Sequence, residues 1–494
     1  MRFMFIYPNI TRPKTPQMGI LALGSHLVNH GVDVRICDLT FHETGAWVGH
    51  VMQEVGRWHP DIVGVSLRTL EFSATLPILE ALRQNKGHML LLAGGPHATF
   101  VPQELAPLVD YGVTGDGEDA CLAIAHAMAQ GKPERIRELP NLFFQRQEEL
   151  VKNPVGPLFD LAQAPEPRYE LFDERHYTQH CFLRLVPTAQ VCGVFEGSRG
   201  CPYLCTYCSN SALMEINKGA GKWRREKSGS QLRREMELFR SLYGMDMMYF
   251  VDEVVMTSDR RTAELREHLH DLKTPFIFME RPELIRENRV CDLKEAGAWS
   301  CSIGIESGDE SFRRQILKRN MPDQKILDSY RLMQRHGIRT HAFVMMGMPD
   351  QSEAVMRASV RLLQTIQPDS AQATTFYPLP ATELYDLVLQ RGLFDPKVRP
   401  SNYYTLSALS YPLVHKQKIA MYADMVNLEL WRTSFIRRLT VRLCMILPGV
   451  FGLVRWYMTS PRGYVRYQSI CKMSARQFFS KIGEKVFEKF MAQK

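Results

Sequence analysis

The 494-residue chain lacks the marks of a secreted protein. Its 11 cysteines are an odd number without disulfide-like spacing, and Met1-Arg2-Phe3-Met4-Phe5-Ile6-Tyr7 runs straight into a strand pattern, with no signal-peptide apolar region or cleavage site. These absences predict a reducing, cytoplasmic setting. A bilayer-spanning helix needs roughly 20 apolar residues; the uncharged stretch from Leu443 to Val454 has twelve, flanked by Arg442 and Arg455 and broken by Pro448-Gly449. With 45% hydrophobic residues the composition is not that of a disordered protein, and the length suits about three domains. No dedicated RNA-binding motif accompanies the basic residues, which argues against a nucleic-acid partner. Also missing are the paired C-x2-C halves of a closed zinc site and the longer four-cysteine runs of two-cluster ferredoxins.

What is there is Arg199-Gly200-Cys201-Pro202-Tyr203-Leu204-Cys205-Thr206-Tyr207-Cys208. Three thiolates spaced C-x3-C-x2-C give a 4Fe-4S cluster three ligands and leave one iron open to a substrate or cofactor. Gly200 and Pro202 mark a loop, not a core helix or strand. The string resembles the radical S-adenosylmethionine superfamily, with Tyr207 as the aromatic residue before the last cysteine. That resemblance implies that the open iron chelates S-adenosylmethionine and that one electron, from a flavodoxin- or ferredoxin-type donor, cleaves it to a 5'-deoxyadenosyl radical. Cys192 is close in sequence, but a fourth thiolate would block that iron.

Residues 1–150 alternate short apolar runs with amphipathic stretches, which predicts βαβ units and a doubly wound parallel sheet. Strands are expected at 3–7, 33–37, 62–66, 89–93 and 111–114, and helices over 21–29 and 76–84, stopped by Gly31 and Gly87. In such sheets the ligand lies at the carboxyl ends of the strands. There the chain carries Met18-Gly19, Ser66-Leu67-Arg68-Thr69, Gly94-Gly95-Pro96-His97 and Gly115-Asp116-Gly117-Glu118, a series similar to the cobalamin-binding domains found ahead of radical S-adenosylmethionine modules. The resemblance implies cobalamin contacts from Met18, Gly19, Ser66, Arg68, Thr69, Gly94, Gly95, Pro96, His97, Gly115, Gly117 and Glu118. The D-x-H-x-x-G motif that puts a histidine on cobalt in methionine-synthase-like domains is absent after the first strand. His42-Glu43-Thr44-Gly45 follows the second strand with Thr40 where aspartate belongs, so no histidine from this chain, His97 included, is expected on cobalt.

After a Pro-rich connector, residues 151–190, the region 191–395 resumes strand and helix alternation. Strands over 192–196, 247–251, 276–279, 302–305, 340–345 and 371–376 predict six βα units, a partial TIM-like barrel with its chemistry at the carboxyl strand ends. Asp252-Glu253 stands where the superfamily has Gly-Gly-Glu, leaving open which carboxylate meets the methionyl ammonium. Gly304-Ile305-Glu306-Ser307-Gly308 resembles the fourth-strand motif, and Gly347-Met348-Pro349 the fifth-strand turn beside adenine. Asp252, Glu253, Glu306, Ser307, Gly347 and Pro349, with Tyr207, are thus the implied S-adenosylmethionine contacts.

The last region, 396–494, is expected to be mainly helical and is strongly basic at its end. Residues 432–494 hold 13 Lys and Arg against 2 Asp and Glu. This pattern, with Arg437, Arg438, Arg442, Arg455, Arg462, Arg466 and Trp456-Tyr457, suits either an interfacial segment on the inner membrane surface or a lid over the barrel. With Trp223-Arg224-Arg225-Glu226-Lys227-Ser228 and the segment 376–384, about 390 residues resemble cobalamin-dependent radical S-adenosylmethionine methylases and the related anaerobic porphyrin ester cyclase. The resemblance implies a C-methyltransferase acting on an unactivated carbon of a lipid-like or large planar small molecule, with cyclisation or oxidation of a tetrapyrrole as the alternative. A noncatalytic iron-sulfur or cobalamin sensor is the third reading, opposed by the retention of the three cysteines with Glu306 and the 347–349 turn.

Overall fold

The computed structural model describes residues 1–11, 14–179, 189–400, 402–404, 406–429 and 431–432. The basic, apolar-centred tail to which the interfacial-or-lid expectation belongs lies outside the described residues. Among them, no helix is long and apolar enough to cross a membrane.

The first sheet has seven strands: β1 Arg2–Tyr7, β2 Asp33–Asp38, β3 Ile62–Ser66, β4 Leu90–Gly94, β5 Tyr111–Val113, β6 Leu142–Arg146 and β7 Glu149–Lys152, in the order β2-β1-β3-β4-β5-β6-β7. β1 to β5 are parallel, with their crossovers in helices such as Met18–Asn29, Trp47–Trp58 and Phe72–Gln84. Near-continuous apolar runs such as Phe3-Met4-Phe5-Ile6 follow from helices covering both sheet faces. The antiparallel hairpin β6–β7, which the alternation did not predict, extends the sheet beyond β5. The helix Trp47–Trp58 was also not expected from the pattern.

The second sheet has six parallel strands: β8 Cys192–Phe195, β11 Met247–Phe250, β12 Phe276–Glu280, β13 Ala298–Glu306, β14 Arg339–Met346 and β15 Ser370–Thr375, in the order β15-β14-β13-β12-β11-β8. Between β8 and β11 a small antiparallel ribbon pairs β9 Ser198–Arg199 with β10 Arg225–Glu226. The strand period divides this sheet into two faces. Phe195, Phe278, Ile303, Ile305, Ala342, Val344 and Ala373 belong to the core under the outer helices, while Tyr249, Met279, Glu306, Phe343 and Met345 alternate with them on the concave side and are only partly buried. The helix Leu413–Asn427 closes over β14 and β15, burying Ile419, Tyr422 and Val426. Asn427 completes the edge of β15: its Oδ1 accepts from the Ala373 N–H at 2.8 Å and its Nδ2 donates to the Ala373 carbonyl at 3.0 Å.

The Pro-rich connector is more than a tether. Tyr169, Phe172 and Tyr177 are buried in a core shared by both sheets, with Tyr169 edge-on to Phe239 at 5.0 Å and Tyr177 edge-on to the same ring at 5.1 Å. Buried His176 hydrogen-bonds Asp38 at the end of β2. A composition rich in proline signals a loop path; the aromatics within it decide that the path is packed.

Candidate active site at the barrel mouth

A cavity of about 220 Å³ opens at the carboxyl ends of β1, β3, β4 and β5, under the helices Met18–Asn29 and Glu118–Ala129. Its floor is Phe3, Phe5, Leu92 and Val113, and its walls are largely backbone at Gly19, Gly64, Gly94, Gly95, Gly115 and Gly117. Gly95 has φ +87°, and a Cβ there would lie 2.8 Å from the Leu67 carbonyl oxygen, so only glycine lets this wall approach so closely. The lining is largely apolar, with Gln17, Ser66, Asp116, Glu118 and Arg199 as its polar residues. Among the described residues, no histidine lines it.

Of the residues the resemblance assigns to cobalamin, Gly19, Ser66, Gly94, Gly95, Pro96, Gly115, Gly117 and Glu118 line this cavity. Four do not. His97 is fully buried, 4.8 Å from the Phe72 ring centre and 3.5 Å from Glu104, because its place one residue inside the helix Pro96–Phe100 turns it into the core. The Arg68 guanidinium is held by Glu71, with Nε donating at 3.0 Å, and Thr69 is buried in the turn Thr69–Glu71. Met18 packs in the narrow space between the first sheet and the connector, beside Phe159 and Pro165. His42 stacks on His50 with ring centres 3.9 Å apart, in the loop after β2.

The three-cysteine loop is rigid for reasons written in its neighbours. Gly200 has φ +91°, and a Cβ there would meet the Trp223 carbonyl oxygen at 2.5 Å. Trp223 Nε1 donates to the Cys201 carbonyl at 3.0 Å, and Ser211 Oγ donates to those of Cys205 and Cys208 at 3.2 and 2.6 Å. Thr206 Oγ1 donates to the Ile316 carbonyl at 2.7 Å, tying the loop to the segment after β13. Burial pushes the Cys201 thiol up and the Cys208 thiol to about 11. Cys192 sits in the opposite, amino-end part of the barrel with Met247 and Ile277, apart from this loop.

The two carboxylates after β11 have different tasks. Asp252 is buried, accepts from the Gly197 N–H at 2.8 Å and bonds the Ser198 hydroxyl, so it braces the end of β8 and is not free for a cofactor. Burial raises its carboxyl to about 6. Glu253 is half-buried, is held by Asn210 Nδ2 at 3.1 Å and lies close enough to Cys201 and Cys208 to act on both thiols. At the end of β13 the register slips between Gly304 and Glu306, and Glu306 takes a left-handed φ of +67°. A bulge of this kind re-aims a side chain, and here it brings the Glu306 carboxylate to 4.0 Å from Arg319. Ser307 is buried, its carbonyl accepting from Arg313 at 2.8 Å. Gly347 and buried Pro349 lie in a turn held by Gln351, and the space a Gly347 side chain would need is filled by Ile419, 2.9 Å from such a Cβ. The glycine at 347 thus answers to the helix Leu413–Asn427.

Sequence reasoning missed the cations. Arg281, the residue after β12, places NH1 3.1 Å from Cys205 Sγ, and Arg319 places its NH1 3.7 Å from the same sulfur and 3.0 Å from the Tyr207 hydroxyl. Among the described residues, the Nε–H groups of both are buried without a partner. Orphaned buried donors beside a cysteine fit an anionic sulfur-rich group in the space they face. Glu280 was also missed: it accepts from the N–H groups of Val255, Met256 and Arg281 at 3.1, 2.6 and 2.8 Å, and burial lifts its carboxyl to about 7. Arg199 joins the two sites. It begins the cysteine loop, lines the cavity on the first sheet and pairs with Glu118 at 2.7 Å, while Arg225 across the ribbon bonds Asp116. A lone Arg at a ribbon end carries no sequence signal of such a role. Among the described residues, Glu287, Cys291 and His336 also bring ligand atoms within 4.8 Å, but the imidazole turns opposite nitrogens to glutamate and thiol, near the amino end of β14.

The B12 binding domain family matches residues 11–125, and the radical SAM superfamily matches residues 195–363. The chain is 25% identical over 389 residues to an uncharacterized methyltransferase of Pyrococcus horikoshii, covering 76% of this chain and 79% of that one. It is 22% identical over 427 residues to the anaerobic magnesium-protoporphyrin IX monomethyl ester cyclase of Cereibacter sphaeroides, covering 80% of this chain and 65% of the relative. In fold it is similar to the radical S-adenosylmethionine methyltransferase TsrM from Kitasatospora setae, with a TM-score of 0.64 at 17% identity over 79% of this chain and 75% of that one. The cobalamin-dependent S-adenosylmethionine radical enzyme OxsB gives a TM-score of 0.68 at 15% identity, over 95% of this chain and 70% of that one. The doubly wound sheet with its glycine-walled cavity, the three-cysteine loop on a six-stranded partial barrel and these matches agree: the chain carries a B12 binding domain followed by a radical SAM domain, and its cofactors are cobalamin, S-adenosylmethionine and a 4Fe-4S cluster.

Proposed function

We propose that this enzyme is a C-methyltransferase acting on an unactivated carbon of a largely apolar small molecule. The observation that supports the reading is Arg199: it begins the cysteine loop, and its side chain walls the cavity on the first sheet, so the cavity adjoins the loop. When bound, the cluster supplies reductive cleavage of S-adenosylmethionine and cobalamin supplies methyl carriage. Cys201, Cys205 and Cys208 are the proposed cluster ligands. Glu253 is the acceptor for the methionyl ammonium, and Tyr207, Glu306 and the 347–349 turn line the rest of the S-adenosylmethionine site. Gly19, Ser66, Gly94, Gly95, Gly115 and Gly117 give shape to the cobalamin site. The concave face, with Tyr249, Met279, Phe343 and Met345 next to Ser302 and Thr374, suits an apolar substrate carrying few hydrogen-bonding groups.

The test is anaerobic incubation of the cobalamin-loaded, reconstituted protein with a chemical reductant, methyl-deuterated S-adenosylmethionine and fractionated apolar extracts. Methyl transfer yields a product that carries the label, with 5'-deoxyadenosine and S-adenosylhomocysteine formed in equal amounts. The likeness to the ester cyclase, over 80% of this chain, supports a second reading. In that case 5'-deoxyadenosine accompanies an unlabelled, oxidised or cyclised product, with no S-adenosylhomocysteine, and the methyltransferase reading fails.

A further inference from the structure

The environment of the three cysteines is lopsided. Arg281 NH1 stands 3.1 Å and Arg319 NH1 3.7 Å from Cys205 Sγ, and both side chains are almost wholly buried. Among the described residues, the Cys201 and Cys208 sulfurs receive no such side-chain donor. Arg281 cannot swing away: its guanidinium lies 3.7 Å over the Tyr203 ring, NH2 bonds Glu283 at 2.6 Å, and its own N–H donates to Glu280 at 2.8 Å. Tyr203 is itself part of the cysteine loop, so the loop carries the surface on which this cation rests.

We propose that Arg281 is a positioning residue for the cluster: a fixed cation, bonded to the Cys205 sulfur, that raises the potential at which the cluster accepts its electron. The inference rests on the reading of Cys201, Cys205 and Cys208 as cluster ligands. Reduction moves one electron from an external flavodoxin- or ferredoxin-type donor onto the cluster, taking it from the 2+ to the 1+ state with no bond made or broken. The added negative charge is stabilised by a nearby guanidinium, and hydrogen bonds to cluster sulfurs are established determinants of potential. Glu283 opposes the effect by partly neutralising Arg281. The two side chains therefore form a matched pair with opposite signs.

The experiment uses the full chain, reconstituted anaerobically, with iron counted and the reduced cluster followed by EPR during a dye-mediated dithionite titration. At the potential where half of the wild-type cluster is reduced, Arg281→Gln is expected to lower the ratio of reduced to oxidised cluster about tenfold, equivalent to about 59 mV for one electron. Glu283→Gln is expected to raise that ratio severalfold, and Arg281→Lys to fall between wild type and Arg281→Gln. Opposite shifts from 281 and 283 are not what a purely structural pair would give. An Arg281→Gln protein that keeps its iron and titrates as wild type overturns the proposal. If that variant does not hold iron, a wild-type titration by Glu283→Gln overturns it instead, and an upward shift supports it. Failure of the wild-type protein to assemble a cluster would overturn the cysteine assignment on which the inference stands.

Discussion

The cavity on the first sheet is walled by backbone at Gly64, Gly94 and Gly95 over a floor of Phe3, Phe5 and Leu92, whereas the barrel mouth brings thiols, guanidiniums and carboxylates within bonding distance of one another. The first region selects by shape and the second by donor chemistry. Shape depends on what is missing from a side chain, so its critical residues are small and chemically mute. Donor chemistry depends on a few reactive atoms whose positions are fixed by neighbours such as Trp223, Asp252 and Glu280. Damage to one region should therefore leave the other able to bind its own cofactor, and only the joint at Arg199 should affect both.

Simultaneous replacement of Cys201, Cys205 and Cys208 by alanine gives the largest expected effect: loss of cluster absorbance, iron and 5'-deoxyadenosine formation. Cobalamin uptake, measured by absorbance after gel filtration, should persist. Cobalamin loss in the same variant would break the division between shape and chemistry.

Gly95→Val is the complementary cut. It puts a branched side chain at φ +87° where even a Cβ would sit 2.8 Å from the Leu67 carbonyl oxygen. Strain of about 1–3 kcal/mol plus the filled slot should raise the cobalamin Kd at least tenfold, by a rough estimate from that strain, while uncoupled S-adenosylmethionine cleavage continues. In the wild-type protein, bound cob(II)alamin should show no nitrogen superhyperfine splitting from a protein histidine, since none of the described residues lining the cavity is a histidine.

The joint itself is probed by Arg199→Ala, which strands the buried carboxylate of Glu118. Breaking one partner of a buried pair costs about 3–5 kcal/mol, read as a lower Tm. Adding Glu118→Gln should restore part of it. If the single variant melts as wild type, the two regions are not coupled through this pair.

The smallest effect is a pH dependence. Burial raises the Glu280 carboxyl from 4.5 to about 7, so the folded state holds a proton that the unfolded chain has released. Its contribution to stability is full below pH 4.5 and declines as pH rises toward 7. Glu280→Gln should flatten this part of the Tm profile while lowering Tm overall, because an amide cannot accept all three backbone N–H groups. An unchanged slope would show that Glu280 does not titrate in this window.

Much of the fold was legible because parallel strands and their crossover helices are local patterns. β1, β2 and β3 begin and end within a residue of where the alternation puts them. β6 and β7 were not, since β6 is placed by pairing with β5 and β7 by pairing with β6, and neither short strand shows a clear apolar alternation of its own. In the candidate site, the cysteine spacing and the strand-end glycines are visible in the sequence, but whether His97 reaches the cavity is not. Its neighbours Gly94 to Pro96 line the cavity, and one further residue of helix turns the imidazole to Glu104 and Phe72.

The sequence by itself determined the cysteine spacing in the 201–208 loop, the glycines at the strand ends and the α/β class, because these depend on residue identity and on intervals along the chain. Only the tertiary structure decided that Asp252 braces β8 while Glu253 is held by Asn210, that Gly347 makes room for Ile419, that Arg199 reaches Glu118 and that Arg281 and Arg319 converge on Cys205. Their partners are far away in sequence, and a long cationic side chain shows no period or motif until the fold sets what its far end can reach.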